Sequence, residues 1–352
     1  MIKKSIILLG LGFVFSIGVV AVLIVASGLV RDRRNSFLRL YPSHPVFERH
    51  EFDLHFNSYY LAGGSSEHIY LGNYSSPLHL LVLNRDLTDS THALLKIAGV
   101  ENDKFWSARV LVDSPRFYFH DGAVPRIYQG MTTDWKAELQ YDSEYFLDIE
   151  PINASTFLIK SLMGTNESML GKLTPDSLRA KFHPEILEKQ IDGVFCVDGT
   201  MRFSKEIDRL VYTYRYRNQF IVMDTNLNVV ARINTIDTTS KAKIKIATIK
   251  STNSRTLASP PFVVNNQTSV YKQWLFVNSS LLALNDDPDT FNTTSIIDVY
   301  DIVNAKYLFS FYIGNNRKNE RLREFRVYNN RLFVMFGTSV IMFELRDRYF
   351  DF

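Results

Sequence analysis

At 352 residues the chain can form one large domain or two ordinary ones, and 46% hydrophobic residues with 26 Phe and 18 Tyr exclude a disordered polypeptide. A formal net charge of +3 without any long basic run excludes the usual electrostatic footprint of a nucleic-acid binder. The single cysteine, Cys196, excludes a disulfide framework and a thiolate zinc site.

In chain order, residues 1–5 are a short tail carrying Lys3 and Lys4. Ile6–Val30 then runs for about 25 residues without a charge, enough to cross ~30 Å of hydrocarbon as a helix. A cleavable signal peptide is the alternative, with Ala26-Ser27-Gly28 as small residues for cleavage, but its apolar region normally spans only about 7–15 residues. A transmembrane anchor at 6–30 is therefore expected. Lys3 and Lys4 balance Arg31, Arg33 and Arg34, so charge bias alone does not orient it. A short tail ahead of a long body favours a single-pass protein with its amino terminus inside and its body outside. Residues 31–45 read as a tether.

The body, 46–352, reads as strands throughout. Phe52, Leu54 and Phe56 alternate with polar neighbours. The first repeat holds His68–Asn73, His79–Asn84 and Ala93–Ile97. The second holds Arg109–Val112, Arg116–His120, Arg126–Gln129 and Trp135–Gln140. In the third only Phe146–Ile149 and Thr156–Lys160 are clear. Thr174-Pro175-Asp176 looks like an N-cap with proline at the first helical position, and His183-Pro184 like a second start, so a small helical insertion is expected at about 174–190.

The fourth repeat is the most regular. Gly193–Val197 is an apolar run broken at Asp198-Gly199, followed by Arg209–Tyr216, Phe220–Asp224 and Val229–Ile233. Leu210, Tyr212, Tyr214 and Tyr216 recur at every second position, the period of a strand with two different faces. The fifth repeat holds Ser269–Lys272, Trp274–Asn278, Ile296–Asp301 and Tyr307–Ile313. The sixth holds Leu322–Tyr328, Arg331–Phe336 and Val340–Leu345. Third strands share an ending, LLVLN, FIVMD and IIDVYD, in which Asn or Asp closes an apolar run and starts a turn.

Units of roughly 40–65 residues, each offering four strands, fit the blades of a β-propeller. A sandwich needs far fewer strands, and a parallel sheet needs helices between them. The expected fold is all-β, a six-bladed propeller behind one amino-terminal transmembrane helix; the degraded third repeat leaves five or seven blades open. The sixth repeat supplies only three strands, so the strand around Phe47–Phe56 is expected to close the ring.

The runs GVFCVDG, LVYTYRYRNQFIVMDTNLN and SIIDVYDIVNAKYLFSFYI resemble a group of uncharacterised bacterial proteins with an amino-terminal anchor and a six-bladed, TolB-like propeller body. The likeness covers most of 36–345. Its motifs are strand-and-turn signatures, so it implies a fold and carries no catalytic residue with it.

Candidate chemistry is sparse. Asp113, Glu150 and Asp198 each end the first strand of a repeat, where three carboxylates could converge on calcium; equally, Asp-Ser-Pro, Glu-Pro and Asp-Gly are turn formers. Asn285–Thr290, with Asp286, Asp287 and Asp289, lies in the longest expected loop and lacks EF-hand spacing. Together with Trp106, His120, Asp121 and Arg217 from equivalent loops, it forms the expected partner-binding rim. No Gly-x-Ser-x-Gly, phosphate loop or dinucleotide fingerprint is present. The sequence therefore favours a binding or scaffolding module for a protein or envelope polymer, with no cofactor. A calcium-dependent lactonase-like hydrolase and an envelope ligand sensor are the alternatives.

Overall fold

The structure is a computed structural model. It describes residues 2–26, 35–99, 105–164, 167–177, 179–249, 254–316 and 318–350. Helix α1 covers Ile2–Ala26, and its described side chains, positions 9–23, are exposed. Among the described residues no helix is long and apolar enough to cross a membrane. Residues 27–30 of the span expected at 6–30 lie outside the described residues.

The rest of the chain is almost entirely strand. β1 (Val46–Asp53) is followed by a meander of β2 (Tyr59–Gly64), β3 (His68–Asn73), β4 (His79–Asn84) and β5 (Ser90–Leu94). After the short β6 (Lys96–Ile97) come β7 (Arg109–Asp113), β8 (Arg116–Asp121), β9 (Arg126–Met131) and β10 (Lys136–Tyr141). Next are β11 (Asp148–Pro151), β12 (Phe157–Leu162), β13 (Ser168–Leu173) and β14 (Lys181–His183), then β15 (Gly199–Ser204), β16 (Arg209–Tyr214), β17 (Gln219–Met223) and β18 (Val229–Asn234). A hairpin of β19 (Ile246–Ile249) and β20 (Ser254–Leu257) stands apart from the other sheets. β21 (Asn265–Tyr271), β22 (Trp274–Ser279), helix α2 (Pro288–Thr293), β23 (Thr294–Asp301) and β24 (Lys306–Gly314) precede the last three strands, β25 (Glu324–Tyr328), β26 (Arg331–Met335) and β27 (Ser339–Leu345).

Each meander pairs antiparallel in sequence order, and apolar residues fill the spaces between successive meanders. Tyr60, Leu80, Val110 and Phe117 join the first two, and Tyr118, Ile127, Phe157 and Ile159 the next two. Leu158, Leu170, Tyr212 and Tyr214 follow, then Val211, Phe220, Leu275 and Tyr300. Phe276, Ile297, Phe325 and Leu332 continue the series. Finally Leu61, Ile69, Phe333 and Met342 bring the last meander against the first. Core that returns to its starting sheet is the signature of radial packing, and two face-to-face sheets could not produce it. The protein is an all-β propeller.

The first strands of the meanders line its axis. β2 touches β7 and β25, β21 touches β15 and β25, and β15 touches β11. The approach is closest at the parallel bridge Gly63↔Val112, where a Cβ on Gly63 would collide with the Val112 carbonyl oxygen. The expected closing strand is in place. β1 pairs antiparallel with β27 from Val46↔Leu345 to Asp53↔Ser339, with a bulge between Glu48 and His50.

Three local expectations need correction. Gly193–Val197 is a loop, and the first strand of that meander is β15, beginning at Gly199. The Asp192 carboxylate accepts the Phe195 and Cys196 N–H groups at 3.0 and 2.8 Å, so these two donors are satisfied without a ladder while Cys196 and Val197 are buried. No helix forms among the described residues of 174–190. Thr174–Ser177 closes only a turn, and Lys181–His183 instead pairs with β13 as an edge strand, placing Phe182 over Gly171. The loop at Asn285–Thr290 runs into α2, with Asp287 as N-cap accepting the Thr290 N–H at 2.8 Å.

The tether is docked where it is described. Phe37 is buried with Val264, Leu281 and Ala283. Arg39 is 2% exposed, donating to Asp298 Oδ1 and Ser279 Oγ at 2.8 Å each and pairing with Asp286.

A candidate binding channel on the propeller axis

The inner strands enclose a channel of about 750 Å³. Its wall is charged because these short strands carry ionic side chains between apolar ones, and the alternation turns the charged set toward the axis. Glu150 meets Arg202 at 3.2 Å, and Glu324 meets Arg326 at 3.3 Å. Arg202 Nε and Arg326 Nη1 both donate to the Thr268 carbonyl, at 3.0 and 3.5 Å. Asp198 takes Lys160 Nζ at 2.9 Å and Arg215 Nε at 2.8 Å. Asp113 is paired with Lys205.

These contacts set the protonation states. Burial pushes the Glu150 carboxyl up to about 7, against the pull of Arg202. Burial also works to raise Asp198, but Lys160 and Arg215 outweigh it and hold the group below the ordinary carboxylate value. Asp113, Glu150 and Asp198 do all line the channel, yet each is engaged by a lysine or arginine. Glu150 lies within β11 rather than at its end, and Asp198 precedes β15. Among the described residues no group of three acidic, histidine or cysteine side chains is placed to hold a metal ion.

The seven expected rim residues divide by burial. Asp121 is fully buried and holds two loops together. Its Oδ2 accepts the Trp106 and Ser107 N–H groups at 2.7 and 2.9 Å, and its Oδ1 those of Ala123 and Val124 at 2.9 and 3.1 Å. Arg217 is buried, stacked 3.6 Å over the Tyr214 ring, with Nη1 donating to the Glu188 carbonyl at 2.9 Å. Asp286 is buried against Arg39 and accepts the Tyr41 hydroxyl at 2.5 Å. These three are structural groups, drawn inward because each offers a buried backbone or ionic partner its hydrogen bonds. His120 is buried as well but lines the channel. Trp106, Asp287 and Asp289 are exposed, Trp106 to 81%.

Sequence reasoning missed Arg109, Lys160, Arg202, Arg326 and Tyr145 in the channel wall. A signal was present in RVLVD, MRFS and EFRVY, where a lone charge sits inside or at the edge of a short apolar strand. A charge in that position needs an axis or a partner to face.

No protein-family profile matches the chain, and no curated protein matches it. Among solved structures, a member of the DUF4221 family from Bacteroides vulgatus aligns with a TM-score of 0.51 at 11% identity, covering 89% of this chain and 99% of that one. Virginiamycin B lyase from Staphylococcus aureus aligns at 0.48 and 10% identity, covering 84% and 99%. BamB from Moraxella catarrhalis aligns at 0.41 and 12% identity, covering 81% and 85%. At 11% identity the likeness to the DUF4221 member speaks for the fold alone.

Proposed function

We propose that this is a six-bladed propeller tied to the bacterial inner membrane by the apolar stretch at 6–30, with its body in the periplasm. It works as a binding or scaffolding module for a protein or envelope polymer. The observation that carries the reading is Trp106. A fully buried carboxylate, Asp121, is committed to fixing the loop that carries this exposed indole. A large aromatic whose backbone is pinned by that carboxylate presents a large apolar area at a fixed place on the surface, the profile of an interface anchor. The ion pairs of Asp113, Glu150 and Asp198 in the channel wall fit the same reading, since charges paired in place present a fixed pattern.

The test uses the full chain in cells with a photo-crosslinking amino acid at position 106 or, as a control, at position 303. Val303 is 65% exposed and lies in the β23–β24 turn, at the end of the blade away from the loops. Specific adducts from 106 and none from 303 are the expected result. Equal labelling from both, or none from 106, would reject the module reading. A periplasm-dependent reporter fused after Phe352 tests the orientation separately: activity is expected, and silence would reject it.

A further inference from the structure

At the channel mouth His120 is 7% exposed, and neither ring nitrogen has a hydrogen-bond partner among the described residues. Its ring leans on Phe146, with centroids 5.7 Å apart, and borders the channel. Such a group is costly unless something from the channel completes it. Directly across the β7–β8 ladder stands Arg109. Its guanidinium lies 5.1 Å over the Tyr74 ring and also borders the channel. No carboxylate is paired with it among the described residues. Tyr74 and Tyr145 share the lining, 48% and 41% exposed.

These groups specify a ligand chemically. Burial, reinforced by Arg109 and opposed by Asp121, holds the His120 pKa down at about 3, so the ring is neutral. One nitrogen donates and the other accepts, and a hydroxyl, itself both donor and acceptor, can pair with either. Arg109 offers a planar fork suited to a carboxylate. Residues directly opposite on an antiparallel ladder have Cα atoms only about 4.5–5.5 Å apart, so one small molecule carrying both an acid and a hydroxyl can reach the two. The tyrosine faces add apolar area with wet edges.

We infer that the mouth of the channel binds a polyhydroxy carboxylate of the uronic-acid type. Arg109 takes the carboxylate, His120 the adjacent hydroxyl, and Tyr74 and Tyr145 the ring. The inference rests on the channel being a binding surface, and it is independent of membrane attachment.

Calorimetric titration of the full chain with galacturonate, galactose and acetate tests it. Galacturonate is expected to bind, with galactose and acetate each weaker by roughly tenfold or more, the loss of one charge-assisted or buried hydrogen bond. Arg109→Gln and His120→Phe should each weaken galacturonate by about tenfold. Arg109 is exposed and His120→Phe removes an unpartnered polar group, so both variants should keep the wild-type melting transition, which is checked alongside. A galacturonate-dependent shift of the His120 ring nitrogens in the nitrogen-15 spectrum places the contact. No galacturonate binding, equal affinity for galactose, or an undiminished Arg109→Gln variant would overturn the proposal. Crosslinking from position 106 would then still decide the module reading by itself.

Discussion

Arg39 and Asp298 are 259 residues apart and meet as a buried ion pair, Nε to Oδ1 at 2.8 Å, with Asp286 completing the set on the other side of the guanidinium. The segment entering the body is therefore part of its core. Breaking a buried pair by removing one partner typically costs about 3–5 kcal/mol, because the remaining charges are left uncompensated. Arg39→Ala should lower stability by that order in urea melts of the full chain. Adding Asp286→Asn and Asp298→Asn to it should recover part of the loss, whereas a merely tethering residue would show neither effect.

Deleting residues 50–56 removes the second half of β1 and the buried Leu54, leaving the facing part of β27 as an open edge. Circular dichroism melts should show loss of one cooperative transition for the whole body. A wild-type melt from the truncated chain would reject the closing role.

Glu150 gives the body a pH dependence of defined sign. Its folded-state pKa of about 7 lies above the ordinary 4.5, so the folded form binds the proton more tightly. The associated stability is fully present below pH 4.5 and is lost as pH rises through 7. Denaturant midpoints should therefore fall between pH 5 and pH 8, and Glu150→Gln should flatten that fall. A steeper fall in the variant would contradict the assignment.

Cys196 is fully buried, its thiol donating to the Asp192 carbonyl and its sulfur facing the Gln190 N–H. Reaction with a maleimide should require unfolding or a large opening, and so run about a thousandfold or more slower than in denaturant. Rapid labelling of the native chain would mean that the 192–198 loop opens locally.

The strand pattern was legible because each meander is built from local, alternating hairpins. Leu210, Tyr212 and Tyr214 point to one face in the sequence and pack between sheets in the structure. The polar residue that closes each third strand was legible for the same reason. Asn84, Asp224 and Asp301 accept N–H groups two to five residues onward. The misreadings arose where tertiary contacts outweigh local preference. Lys181–His183 is drawn into a strand by the edge of β13, and Gly193–Val197 is held as a loop by Asp192. The site was legible only in part. Asp113, Glu150 and Asp198 could be picked out as carboxylates, but their neutralising partners come from distant strands. His120 reads as a surface residue in the sequence, and it is buried against Phe146, a packing that a linear reading cannot place.

The β1–β27 seam also sets an order of events in the cell. The strand made first must wait for the one made last, since roughly 290 residues separate Val46 from Ser339, a delay of about 15–60 s at ordinary synthesis rates. For that interval β1 is an orphan ribbon edge of the kind that recruits other chains. Glu48, Arg49 and His50, three consecutive polar side chains left in solvent even after the seam is sewn, would make it a poor template for a stranger while it waits.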